Sequence, residues 1–194
     1  ERDDEVTIPS GDFVLRKGDK LSFVGERRHT KEFFSHIGVN THSVKNTLII
    51  GGGKAAYYLA KQLISRGIKV KIIENSFERC EELSILLPDA VIINGDGQAL
   101  LKEEGIETCQ SFVPLTGIDE ENIMLTLYAK QVSNAKVITK LNRITFTNVI
   151  NSLDLGSVIS PKYITSEAII AYVRAKKNSM NCNIETLYHM YDSR

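Results

Sequence analysis

The sequence predicts an α/β chain whose centre is a Rossmann-like, doubly wound parallel sheet of six strands, flanked by partial α+β segments. Three observations carry that prediction. From Thr47 to Ser160, short runs of β-type residues alternate regularly with helical runs. The strand runs are continuously apolar, as strands buried on both faces are, rather than alternating polar and apolar. At the first junction, "TLIIGGGKAAYYLAKQL" sets three glycines between a strand and a helix, which is where a parallel α/β sheet turns.

The strand candidates in order are "TLIIG", "KVKIIE", "AVIIN", "SFVPLT", "KVITKL" and "SVIS". Between the first two, Ala56, Leu59, Ala60 and Leu63 fall on one helical face, and Gly67 stops the helix. Pro114 removes a ladder donor from an interior strand, so a bulge or an early strand end is expected there. After Pro161, "SEAIIAYVRAKKNS" reads as an amphipathic helix with Ser166 as its N-cap, and "NIETLYHMY" as one more strand. Residues 1–40 read as short strands and turns, "DEVTIP" and "SGDFVLRKGDKLSFVG", followed by a helix-like "RHTKEFFSHIGV". Forty such residues bury too little to stand alone. They are expected to be the end of a preceding domain, as residues 163–194 are expected to open another around the central unit, 44–162.

The 194 residues, 42% hydrophobic and 25% charged, suffice for a sizeable core. Formal charge is zero, from 24 basic and 24 acidic residues, so no global field draws the chain to nucleic acid or to an anionic membrane. No apolar run reaches the length of a membrane span, and "ERDDEVTIPSGD" has none of the regions of a signal peptide; the expectation is a soluble, cytoplasmic piece. Cys80, Cys109 and Cys182 are odd in number and far apart, the pattern of reduced structural thiols.

Gly51-x-Gly53-x-x-Ala56 follows a strand and opens a helix, the context of the dinucleotide fingerprint. The first glycine makes the turn, the second admits a pyrophosphate, and the small third residue packs helix on strand. The loop's N–H groups and the positive helix end favour phosphate, and Lys54 adds a charge at the rim. A Walker A loop is excluded, because Ala55 follows Lys54 where Ser or Thr would bind magnesium. Glu74 ends the second strand 23 positions after Gly51, close to the ~20 expected of the carboxylate that holds a ribose hydroxyl. An acid there repels a 2′-phosphate, favouring NAD(H) or an adenine nucleotide over NADP(H).

Two further loops sit at carboxyl ends of strands: "NGDG", where Asp96 can reach the adenosine, and "TGIDEEN", where the backbone of Thr116 and Gly117 can border the pyrophosphate. The plainer readings are a turn and a helix cap, since Asp119, Glu120 and Glu121 suit a positive helix end. No histidine accompanies that acidic run to make it a metal site. Thr139 and Lys140, at the end of the fifth strand, are weaker candidates for the rim.

Chemistry on a carbinol with NAD needs a residue to move a proton. His29, His36, His42 and His189 all lie outside the 47–160 unit. Tyr57–Lys61 and Tyr172–Lys176 have the YxxxK spacing of short-chain dehydrogenases, but neither pair follows the fifth strand as that family's does. Nucleotide binding without visible chemistry points to a sensor, with the nucleotide-binding part of an NAD-dependent oxidoreductase as the alternative.

The combination of "TLIIGGGKAAYYLAKQL", "IIENSFERCEEL", "VIINGDGQALLKEEGI", "LTGIDEENIMLTLYAKQ" and "LGSVISPKYITSEAI" resembles the RCK, or KTN, regulatory proteins of potassium channels and transporters, most closely the TrkA-type subunit of bacterial Trk potassium uptake. The resemblance implies that residues 1–40 end a C-terminal (TrkA-C) subdomain, that 44–162 form the nucleotide-binding TrkA-N domain, and that 163–194 hold a crossover helix and the start of the next subdomain. It carries the family's nucleotide contacts onto Gly51, Gly52, Gly53, Lys54, Ala55, Glu74, Asp96, Thr116, Gly117 and Lys140. Implied ligands are NAD+ or NADH, alternatively ATP or ADP. Implied partners are an integral membrane potassium transporter subunit of the TrkH or KtrB kind, on the cytoplasmic face of the membrane, and further copies of the chain in dimers and rings; neither nucleic acid nor catalysis is implied. Glu74 stands where many relatives have Asp.

Overall fold

The computed structural model describes residues 2, 5–22, 25–38, 43–143, 150 and 152–178. They divide into two units, the first ending at Ser43 and the second beginning at Val44. His42, Cys182, His189 and the strand expected at "NIETLYHMY" lie outside the described residues.

In the first unit the expected short strands do not form among the described residues: apart from an isolated Arg2–Glu5 bridge, residues 5–22 are turns and irregular chain. The guanidinium of Arg2 donates from Nε and Nη2 to Asp19 Oδ1 and Oδ2, at 2.8 and 2.7 Å, and lies over the Phe13 ring. Asp19 also accepts from the Arg16 N–H, and the Arg2 bonds hold its carboxyl far below the usual carboxylate range. Side-chain contacts here replace the ladder that alternation alone suggested. The helix-like run is a helix, α1 (Arg27–His36).

The second unit contains β1 (Asn46–Ile50), α2 (Lys54–Ile64), β2 (Lys69–Glu74), α3 (Phe77–Leu86), β3 (Val91–Asn94), α4 (Gly97–Leu100), β4 (Ser111–Pro114), α5 (Asp119–Val132), β5 (Lys136–Lys140), β6 (Ser157–Ile159) and α6 (Pro161–Asn178). The sheet order is β3-β2-β1-β4-β5-β6, with every pairing parallel. The reversal of order between β1 and β4 opens a crevice at their carboxyl ends, where such sheets bind ligands.

Successive residues of β1 show why the strands are continuously apolar: Leu48 and Ile50 face a core with Phe112, Leu125 and Ala129, while Ile49 faces Ala56, Ala60, Ile72 and Leu83 on the other side. Both layers exclude water, so both parities at the centre of the strand carry aliphatic side chains, and Thr47 near its start is a small polar residue buried with them.

Pro114 closes β4, the early end the sequence implied. Leu115 N–H donates to Ile50 C=O, so by the alternation of strand hydrogen bonds the donor that Pro114 lacks would face β5. The β4–β5 ladder accordingly stops at Phe112↔Val137. The last helix departs from expectation. It starts at Pro161, whose preset φ suits the first turn, and Ser166 is not its cap but an interior residue donating to Lys162 C=O at 2.9 Å.

Candidate functional site

A cleft of about 790 Å³ lies at the carboxyl ends of β1, β2, β3 and β4. Of the residues the sequence singled out, Gly51, Gly52, Gly53, Glu74, Asp96, Thr116, Gly117 and Lys140 line it. Lys54 and Ala55 do not: Ala55 instead lines an apolar trough with Leu59, Leu63, Val113, Ile138 and Ile159. As the first two helical residues of α2, they present backbone rather than side chain to the loop.

The three glycines answer three different demands. Gly51 turns the chain at φ +93°, a conformation that favours glycine, and donates to Ile73 C=O at 2.8 Å. Gly52 is buried so closely that a Cβ would stand 2.6 Å from Leu83 Cδ1 and 3.0 Å from Glu74 Oε2. Gly53 has neither constraint: φ is −65°, and a Cβ there would meet nothing within 4 Å. The same holds for Gly117 on the opposite wall, where an added Cβ also meets open space. Two glycines that the fold does not require face one cleft, which is the cradle expected where a ligand approaches backbone. Gly53 is also the N-cap of α2, with no side-chain cap bond, leaving the N–H groups of the first turn available to an anion.

Glu74 reaches back to this loop. Its Oε2 accepts from Gly52 N–H at 2.5 Å and its Oε1 from Ser76 N–H at 2.8 Å. Each oxygen has a further lone pair, so the carboxylate is oriented with capacity left for ribose hydroxyls. Asp96, in the loop whose plainer reading was a turn, caps α4 by accepting from Gln98 N–H at 2.8 Å.

The opposite wall is held by a residue the sequence reading missed. Asn122, fully buried in α5, accepts from Thr116 N–H at 3.0 Å and from Thr116 Oγ1 at 2.9 Å, and donates to the carbonyls of Thr116 and Lys140 at 3.2 and 3.0 Å. Lys140 Nζ closes the set, donating to Thr116 C=O at 2.9 Å and Leu115 C=O at 3.4 Å. The available signal was an amide on the inward helix face shared with Leu125, Thr126 and Ala129, a polar residue where the pattern calls for an apolar one.

Asp119, Glu120 and Glu121 lie in the first turn of α5, the helix end expected of the acidic run, and Asp119 has a further role. Its carboxylate accepts from Asn142 N–H, Asn142 Nδ2 and Arg143 N–H, at 2.8 to 3.0 Å, tying α5 to the exit of β5. Among the described residues no cluster of three or more His, Cys, Asp or Glu has metal-binding geometry. His29 and His36 lie on α1. Tyr57 and Lys61 stack on each other along α2, with Nζ 6.0 Å from the ring centre, and neither lines the cleft.

Residues 47–161 match the model of the TrkA-N domain family. The chain is 33% identical over 169 residues to a Trk system potassium uptake protein TrkA from Halomonas elongata, covering 86% of this chain and 37% of that protein. It is 33% identical over 183 residues to the TrkA of Haemophilus influenzae, covering 93% and 39%. The chain therefore spans about two fifths of the length of these relatives. Among solved structures, the TrkA-N domain of the inner membrane protein ybaL from Escherichia coli shares the fold with a TM-score of 0.60 at 14% identity, over 69% of this chain and 99% of that one. The GsuK channel bound to NAD does so with a TM-score of 0.50 at 16% identity, over 63% and 22%.

Proposed function

Because this chain belongs to the TrkA-N domain family, we propose that its cleft binds an adenine nucleotide, NAD(H) first and ATP or ADP as alternatives, and that it is a regulatory rather than a catalytic module. The observation that carries the reading is Gly53, a glycine with no steric or conformational need to be one, placed at the uncapped start of α2 and facing the cleft. A phosphate there takes first-turn N–H groups. Gly117 gives it clearance from the other side, Glu74 takes the ribose, Asp96 borders the adenosine, and Lys140 supplies the positive charge on the wall formed by β4 and β5. Lys54 and Ala55 contribute backbone only.

The proposed role is to gate a potassium transporter on the cytoplasmic face of the membrane, the partner being an integral membrane subunit of the TrkH or KtrB kind. Relatives named for Trk potassium uptake support it. No helix among the described residues is long and apolar enough to cross a membrane. Self-association is part of the reading: Tyr163, Ile164, Ile169, Tyr172 and Val173 of α6 are all more than half exposed, as a helix that docks on a second copy would be in a single chain. The nucleotide acts by binding one arrangement of the paired units better than another. A nearly complete swing needs about 5.5 kcal/mol of differential affinity.

Isothermal titration of this chain with NADH, NAD+, ATP and ADP, beside the variant Gly53→Asp, tests the site. Binding by the parent and loss in the variant is the expected result; equal binding by both removes the loop from the account.

A further inference from the structure

The chain is neutral as a whole and far from neutral along its length: from Lys45 to Ile73 it carries six basic and no acidic residues, and from Glu74 to Glu121 twelve acidic and two basic. The fold sets parts of these two regions side by side. Helices α2 and α3 pack in one layer, with Ala56, Ala60, Leu83 and Leu87 over Ile49 and Ile72, so their outer faces form one surface. On α2 the exposed residues at helical spacing, opposite the buried alanines, are Lys54, Tyr58 and Lys61, with Tyr58 edge-on to Tyr57 at 5.0 Å. On α3 they are Glu78, Glu81 and Ile85, the last 81% exposed. Among the described residues none of these four charges is in an ion pair. A cationic stripe around a tyrosine thus lies beside an anionic stripe around an isoleucine.

An anionic membrane or an acidic protein that met the first stripe would be repelled by the second. A second copy of the surface satisfies both, because a two-fold axis running between and along the helices lays α2 of each chain on α3 of the other. This is the reciprocal matching of an isologous contact. Exposed ion pairs alone add little; Tyr58 and Ile85 supply apolar area among the charges.

We propose that the outer face of α2 and α3 is a self-complementary docking surface for a second copy of this chain, separate from the contact assigned to α6. Basic α2 of each chain meets acidic α3 of the other. Since α2 starts next to Gly53 and α3 shortly after Glu74, the helices that touch are the two that leave the glycine loop and the ribose carboxylate. The docking itself does not depend on the nucleotide reading.

The test is sedimentation equilibrium at low salt in a chain carrying Ile169→Asp and Val173→Asp, which removes the α6 contact. That chain is expected to retain a dimer. Adding Lys54→Glu/Lys61→Glu, or adding Glu78→Lys/Glu81→Lys, should weaken the dimer at least about tenfold, because like charges then face one another. An equimolar mixture of the two reversed chains should regain it, as should a single chain with all four reversals. Association regained on mixing cannot come from a damaged fold. If the starting chain is monomeric, or if the mixture associates no better than either reversed chain alone, the proposal is overturned and the α6 contact is untouched. Binding of phosphatidylglycerol vesicles that is lost in Lys54→Glu/Lys61→Glu, in a chain that does not self-associate, assigns the basic stripe to a membrane and overturns it as well.

Discussion

Gly52 and Gly53 are neighbours in the chain and opposites in environment: a Cβ on Gly52 would lie 2.6 Å from Leu83 Cδ1, and one on Gly53 would touch nothing. The two substitutions should therefore separate stability from binding. Gly52→Ala forces Leu83 or the Glu74 carboxylate aside, an overpacking cost of about 1–3 kcal/mol. Gly53→Ala should leave stability within about 0.5 kcal/mol of the parent, yet weaken nucleotide binding roughly tenfold or more by fending a phosphate off the backbone. Urea unfolding and nucleotide titration on the same two variants check the pair.

Asn122 makes four hydrogen bonds from a fully buried side chain. Asn122→Ala is expected to cost about 2–4 kcal/mol, since backbone groups of Thr116 and Lys140 lose partners together with a buried volume. Asn122→Asp should cost more at pH 7, because a carboxylate replaces two donated bonds by repulsion from two carbonyl oxygens. That excess should shrink as the pH is lowered and the acid takes up a proton. Chemical unfolding of both variants at two pH values measures the difference.

Burial raises the Cys109 thiol from 9.0 to about 11. Between those values the unfolded chain releases this proton first, so the thiol's contribution to stability, complete below pH 9, is lost as the pH climbs toward 11. Relative to Cys109→Val, the parent chain should lose stability across that window and not below it. Slow alkylation of Cys109 in the native chain at pH 8, fast on unfolding, is the companion measurement.

Replacing Ile169 and Val173, both more than half exposed on α6, by Asp should reduce self-association without changing the folded content of the chain. Sedimentation equilibrium of parent and variant, with circular dichroism as the folding control, decides it; an unchanged mass distribution would take α6 out of the contact.

The six strands were legible because a sheet covered on both faces admits little but apolar residues, so "TLIIG" and "KVKIIE" declare themselves without reference to the rest of the chain. Pro114 was legible for a local reason too, the missing donor. The helix start at Pro161 was misplaced because Ser166 carries the side chain of a cap, and sequence alone does not say whether that hydroxyl meets a free N–H or the carbonyl of Lys162. The strands expected before residue 22 failed for want of partners, since alternation describes a face and cannot supply the surface it packs on. In the site, Glu74 was readable from its distance to the glycines. Asn122 was not, because it acts on backbone groups brought near only by folding, those of Thr116 and Lys140.

The saturation of Asn122 has a mechanical consequence. A loop whose anchor has every donor and acceptor engaged has little slack, and the glycine loop across the cleft is clasped at both ends of Gly52, by Glu74 on its N–H and Arg79 on its C=O. On the proposed reading, a nucleotide seated between these two walls would pass its push outward through whole helices and strands instead of losing it to loop flexing, and a lever needs that stiffness where it is pushed.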